Sequence, residues 1–146
     1  MTPVASLPAA GRALDTLVAE KVMGLEWRDG KMYCRGDGWY PKDAPECNRR
    51  DDRDYLINPP EYRSSLPNYS WDIAAAWEVV EKMLETHSVD VNAIPGESVI
   101  QWGATMQKMP FAERYPEHGA CAKTAPLAIC LAALEAVGGA LKAVAP

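Results

Sequence analysis

Residues 70–86 read SWDIAAAWEVVEKMLET, and the fold class turns on how that stretch is taken. Ile73, Ala76, Trp77, Val80 and Leu84 recur at spacings of one, three and four, which is one face of a 3.6-residue period, with Met83 beside them. That face is expected to be buried, and Trp77 with it. Ser70 is a natural N-cap, and Asp72 falls in the first turn, where its charge complements the helix dipole. Glu78 and Lys82 stand four residues apart in the favoured order on the exposed side. The spacing predicts a helix over 70–86.

Two more helical periods flank it. Leu14, Leu17, Val18, Val22 and Met23 form one stripe, Asp15, Glu20 and Lys21 fall mostly off it, and Gly24 supplies a stop, so a helix is expected over 10–23. Near the other end Thr124 caps a run whose Pro126 is tolerated in the first turn. Leu127, Ile129, Cys130, Leu131, Leu134 and Val137 make that run apolar nearly all round. A largely buried helix over 124–138 is expected, ending at Gly138-Gly139.

Strand patterns lie between the helices. Val89 and Val91 alternate with polar neighbours, Pro95-Gly96 makes a turn, and residues 99–106 read as a strand with Ile100, Trp102, Ala104 and Met106 on one face. Residues 107–118 read as a loop and 119–123 as a short third strand. Earlier, Leu25–Arg28 and Lys31–Cys34 flank Asp29-Gly30, the two-residue pair that a tight hairpin turn favours, so these two runs are expected to pair. Residues 35–69 show neither period and carry seven of the prolines and glycines that break both. Their aromatic content (Trp39, Tyr40, Tyr55, Tyr62, Tyr69) is unlike a disordered linker, so the stretch reads as an ordered, packed excursion. The expected organisation is a single domain over 1–146, with a core of 10–34 and 69–138 and an insertion at 35–69.

Composition limits the function. With 48% apolar and 24% charged residues the chain is not disordered, and 146 residues bury enough surface to fold without disulfides or metal. A net charge of -5 argues against binding extended nucleic acid. No apolar run approaches the roughly 20 residues of a membrane span, and residues 1–10 lack the basic start of a secretory signal. A soluble, cytoplasmic protein is expected. Cys34, Cys47, Cys121 and Cys130 form no C-x-x-C pair and stand at no zinc spacing from His87 or His118, so no metal and no cofactor are expected. Cys130 reads as a core residue. Cys121 lies three residues from His118, yet nothing in the sequence places a group to orient that histidine as a base. A Cys34–Cys47 disulfide is the most plausible pairing, and a reducing compartment disfavours it.

Three stretches carry a resemblance. LDTLVAEKVMG at residues 14–24, YSWDIAAAWEVVEKM at 69–83 and TAPLAICLAALEAVG at 124–138 resemble the small bacteriophage "ABA sandwich" domain proteins. The resemblance implies an α+β fold: a three-layer α/β/α sandwich around a small antiparallel sheet, here with a long loop insertion. It also implies a phage or prophage origin, hence action in the host cytoplasm. It supplies no catalytic residues to carry over. This chain departs from the pattern at Trp71, where a short polar residue is usual, and in the length of 35–69.

The insertion is where a particular function is expected. From Arg28 to Tyr69 cations and acids balance, and six of the chain's eight arginines lie there, so the rest of the chain carries the net charge. Arginine makes bidentate contacts to phosphate and stacks on rings. Arg49, Arg50 and Arg53 are therefore candidate phosphate contacts, with Trp39, Tyr40, Tyr55 and Trp71 as stacking partners. The bland alternative for residues 49–54 is a self-paired, solvated loop. Trp71 either faces a ligand or covers the insertion. Lys123 and Thr124, at the start of the last helix, are either an anion site or an ordinary cap with a flanking lysine. Arg114, Tyr115 and His118 are placed to join the same site. No phosphate loop, carboxylate pair or triad motif is present, and no enzyme is expected. The leading expectation is a non-enzymatic counter-defence protein, an oligomeric sponge that sequesters a small phosphorylated, nucleotide-type immune signal. The alternative is a protein-interaction module that blocks a host or phage protein.

Overall fold

A computed structural model describes residues 9–28, 37–43, 63–96, 100–109 and 117–138. The chain divides into two compact units, one of Met1–Met23 with Pro67–Pro146 and one of Gly24–Leu66. Described elements are mixed α+β: three helices, one two-stranded sheet and one three-stranded sheet, both antiparallel.

In the larger unit α1 spans Arg12–Lys21, two residues shorter at each end than expected, with Gly24 beyond it at φ +68°, a left-handed conformation that glycine adopts without strain. Leu14, Val18 and Ala19 are buried as the stripe requires, but so is Asp15, which the period had put off the buried face. The reason lies 55 residues away. Ser70 donates its main-chain N–H to Asp15 Oδ1 at 2.8 Å, and Gly11 donates its N–H to Ser70 Oγ at 2.9 Å. Ser70 is thus a buried clamp on the start of α1 rather than a helix cap.

The cap of the next helix is Asp72, whose carboxylate accepts from the Ala74 N–H at 3.0 Å. That helix, α2, spans Ile73–Met83, and its buried residues are Ala75, Ala76, Val79, Val80 and Met83. The expected face is therefore turned: Ile73, Trp77 and Leu84 are 54%, 51% and 48% exposed. Packing explains the correction. Helix α3, spanning Ala125–Ala136, meets α2 and presents Ala128, Ala132 and Ala133 among its buried residues. Small residues on both helices allow a close approach that a tryptophan would prevent.

Helix α3 is buried all round from Ala128 to Leu134, as its apolar sequence required. Thr124 caps it, its hydroxyl accepting from the Leu127 N–H at 3.4 Å. It packs on α1, on α2 and on a sheet of β3 (His87–Ile94), β4 (Gln101–Lys108) and β5 (Glu117–Ala122), in that spatial order. Register sets Val89 opposite Met106 and Val91 opposite Ala104, with Ala104 also opposite Ala120. These residues share the inner face, where Ala104 and Met106 are fully buried. Each fully buried aliphatic side chain in such a core contributes about 1.5–3 kcal/mol. Strand β4 begins two residues later than expected, leaving Ile100 outside it and 61% exposed, and both flanks of the expected 107–118 loop belong to strands. The outer face carries Asp90, Asn92, Glu117, Gly119 and Cys121, all exposed. A helical layer over that face is not seen among the described residues.

In the smaller unit β1 (Leu25–Arg28) pairs with β2 (Gly38–Pro41), Trp27 opposite Trp39. The expected partner, residues 31–34, lies outside the described residues, as do Cys34 and Cys47. The Trp27 and Trp39 rings meet edge to face at 5.9 Å, and Trp39 exchanges two main-chain hydrogen bonds with Arg63. Among the described residues no helix is long and apolar enough to cross a membrane.

Candidate functional site

In the larger unit, α2, β3 and the start of α3 border an open groove. Ile73, Trp77 and Val80 of α2 form one wall, at positions one and two turns apart. Val89, Asp90 and Val91 of β3 form the other, with Trp102 of β4 beyond them. Lys123, Thr124, Ala125, Pro126 and Ile129, at the start of α3, close one end. The volume, about 780 Å³, is in the range of small-molecule and peptide sites.

Most of the lining is apolar. Asp90 and Lys123 are its ionisable residues, and alternation along β3 directs the Asp90 side chain to the outer face of the sheet, opposite to Val89 and Val91. Lys123 stands at the N-terminus of α3, where the unpaired first amides add a further preference for negative charge.

The expected site residues are placed as follows. Lys123 and Thr124 line the groove together. Trp71 is 58% exposed just ahead of α2 and does not line it. His118 lies on β5 with Nδ1 3.9 Å from Glu135 Oε1, also away from the groove. Trp39 and Tyr40 belong to the smaller unit and are buried, Tyr40 completely, so they offer no ring face for stacking. Arg49, Arg50, Arg53, Tyr55, Arg114 and Tyr115 lie outside the described residues. The groove residues that the sequence reading missed are Ile73, Trp77, Val80, Val89, Val91 and Trp102. All read as apolar structure in the sequence. The available signal was two tryptophans within such stripes, each too large for a face packed through alanines.

Away from the groove, His87 is buried on β3, with Nδ1 2.7 Å from Thr86 Oγ1. Burial holds its pKa below the ordinary 6.5, helped by the positive charges of His118 and Lys108. Burial also raises the Cys130 thiol far above its ordinary value, reinforced by the Asp15 charge, while Cys121 is exposed. Among the described residues no three His, Cys, Asp or Glu side chains gather as metal ligands would.

A family model described as the phage ABA sandwich domain matches residues 16–134. No curated protein and no solved structure matches the chain.

Proposed function

We propose that this chain, which belongs to the phage ABA sandwich domain family, is a non-catalytic binding module that engages a protein of the host or of the phage through the groove and blocks it. The observation carrying this reading is the α2 stripe, where Ile73 and Trp77 are each about half exposed beside a strand edge. Contiguous exposed apolar surface of this kind marks interaction sites, and tryptophan is enriched among residues that dominate binding. The test is capture of a single host or phage polypeptide by the full chain and by a Trp77→Ser variant. Loss of capture with an unchanged melting temperature supports the reading. Undiminished capture by the variant removes the groove from it.

A second reading is favoured by Lys123 and Thr124 lying in the same groove as Trp77 and Trp102. A cation and helix amides at one end, with indole rings along the walls, suit a small ligand carrying one phosphate and a base. Here the protein is a sponge in the host cytoplasm, sequestering a nucleotide-type immune signal without converting it. A base stacked on a ring adds about 1–3 kcal/mol. Heat release from protein incubated with cyclic nucleotides and cyclised ADP-ribose products separates the outcomes: intact ligand supports sequestration, and a converted product points to an enzyme. Both readings accommodate a homo-oligomer, in which a second copy over the outer sheet face supplies the third layer that the family description implies. Sedimentation showing only a 16.0 kDa species counts against the oligomer.

A further inference from the structure

Val89, Asp90 and Val91 all border the groove. Successive side chains of a strand point to opposite faces, so a wall containing three consecutive residues is the edge of the strand, main chain included. Among the described residues strand β3 is such an edge, paired with β4 alone. The ladder fixes which main-chain groups lie along it. Met109 donates its N–H to the Thr86 carbonyl at 2.9 Å, and these residues stand opposite one another one step beyond the His87–Lys108 pair. Hydrogen-bonded and non-bonded pairs alternate in an antiparallel ladder. Ser88, Asp90 and Asn92 therefore bond to β4, whereas Val89 and Val91 turn both N–H and C=O away from β4, along the edge that borders the groove. Among the described residues no main-chain group pairs with them there.

Native sheets blunt an edge like this with proline, lysine, a bulge or a very short strand. Strand β3 is eight residues long and has neither proline nor lysine. Its Val89 and Val91 side chains lie on the inner face, with the Ile73, Trp77 and Val80 stripe across the groove. Lys123 directly follows Ala122, which stands opposite Trp102, itself opposite Ala93, so the cation lines the groove level with the C-terminal end of β3, two strands across the sheet.

We infer that the partner in this groove is an extended segment that adds a strand to β3, seating alternate apolar side chains against Ile73, Trp77 and Val80 and a carboxylate beside Lys123. The inference rests on the protein-binding reading and specifies its geometry. Main-chain bonds to Val89 and Val91 supply the pairing, pockets for every second side chain supply the specificity, and charge complementarity at Lys123 sets the acidic end. A helix laid in the groove would match the α2 stripe but leave the Val89 and Val91 main-chain groups desolvated and unpaired.

Selection of a displayed random decapeptide library on the full chain, followed by titration of the enriched peptides, tests this. The expected peptides carry apolar residues at every second position and Asp or Glu at one end. On binding, hydrogen exchange at the Val89 and Val91 amides slows at least tenfold from a fast rate, whereas the Asp90 amide is protected throughout. Val91→Pro deletes one outward N–H and no ladder bond, so it weakens peptide binding tenfold or more at an unchanged melting temperature. Should that variant unfold, N-methylation of the peptide reports from the other side: methyls on alternate amides facing β3 abolish binding, and methyls on the intervening amides do not. Enriched peptides with apolar residues three and four apart, binding without slowed exchange at Val89 and Val91, overturn strand addition and leave the protein-binding reading standing. Failure to enrich any peptide, with nucleotides binding instead, overturns both.

Discussion

Replacing Asp15 by alanine removes the acceptor of a main-chain hydrogen bond that joins two distant parts of the chain. Asp15 and Ser70 are both fully buried, so the Ser70 N–H would lose a partner in a place water does not reach. A hydrogen bond to a charged group contributes roughly 1.5–3 kcal/mol, and an acidic residue in the first turn of a helix a further 0.3–1 kcal/mol or so. Little is added by Arg12, whose guanidinium is 3.8 Å from Asp15 Oδ2 on a side chain 57% exposed. The expected loss for Asp15→Ala is therefore about 2–4 kcal/mol, with a melting temperature lower by some 5–15 °C for a chain of this length. Asp15→Asn keeps an acceptor for the Ser70 N–H and is expected to cost less than half as much. Urea unfolding measures all of this, given an unchanged m value. Asp72→Ala serves as the yardstick, because an exposed N-cap is worth about 1 kcal/mol. If Asp15→Ala costs no more than Asp72→Ala, the clamp is not what fixes α1 against the approach to α2.

Three further outcomes are expected. His87 has a folded pKa below 6.5, so as pH falls through about 6.5 the unfolded chain takes up the proton first. Stability should thus be full above that pH and decline below it, and His87→Gln should flatten the melting temperature between pH 7.5 and 5. Native alkylation followed by peptide mapping should label exposed Cys121 and spare Cys130, whose thiol is buried and held protonated. Lys123→Glu should weaken any anionic groove ligand at least tenfold at low salt, with fluorescence titration as the readout, while thermal stability is nearly unchanged.

How far the sequence led depends on which residues one asks about. The last helix was legible to its cap because Thr124, Pro126 and an all-round apolar run agree with one another. Strands β3 and β4 were legible from alternation, whereas β5 was read two residues short at its start. Residues 70–86 were legible as a helix but not in orientation. A stripe of Ile73, Trp77, Val80 and Leu84 has the correct period for a buried face, and only the partner decides which apolar residues it accepts. Alanine-rich α3 accepts Ala75, Ala76 and Val79 and leaves the tryptophan outside. Asp15 and Ser70 were misplaced for a related reason: their bond spans 55 residues, and local propensity carries no information over that distance. Strand β1 pairs with Gly38–Pro41, a partner that residues 35–69 gave no period to announce, while the partner expected from the Asp29-Gly30 turn signal lies outside the described residues. Of the site, Lys123 and Thr124 were readable because a helix start announces itself.

Energetics argue that the α2 stripe cannot act alone. Roughly half of Trp77 and of Ile73 is exposed, an apolar area of about 200 Å², and covering it contributes about 5 kcal/mol at 25 cal/mol per Å². Association costs an estimated 4–15 kcal/mol in lost translational and rotational freedom, so the stripe by itself offsets little more than the lower bound. Micromolar affinity requires about 8 kcal/mol net of that cost. The N–H and C=O groups of Val89 and Val91 add four hydrogen bonds at about 0.5–1.5 kcal/mol each, and further pairing along the eight residues of β3 extends the sum. On these magnitudes the helix stripe and the strand edge contribute comparably. Trp77→Ser and Val91→Pro should therefore each weaken a groove-bound peptide by at least tenfold. A Trp77→Ser loss of a thousandfold beside no loss for Val91→Pro would show instead that the partner uses the helix alone.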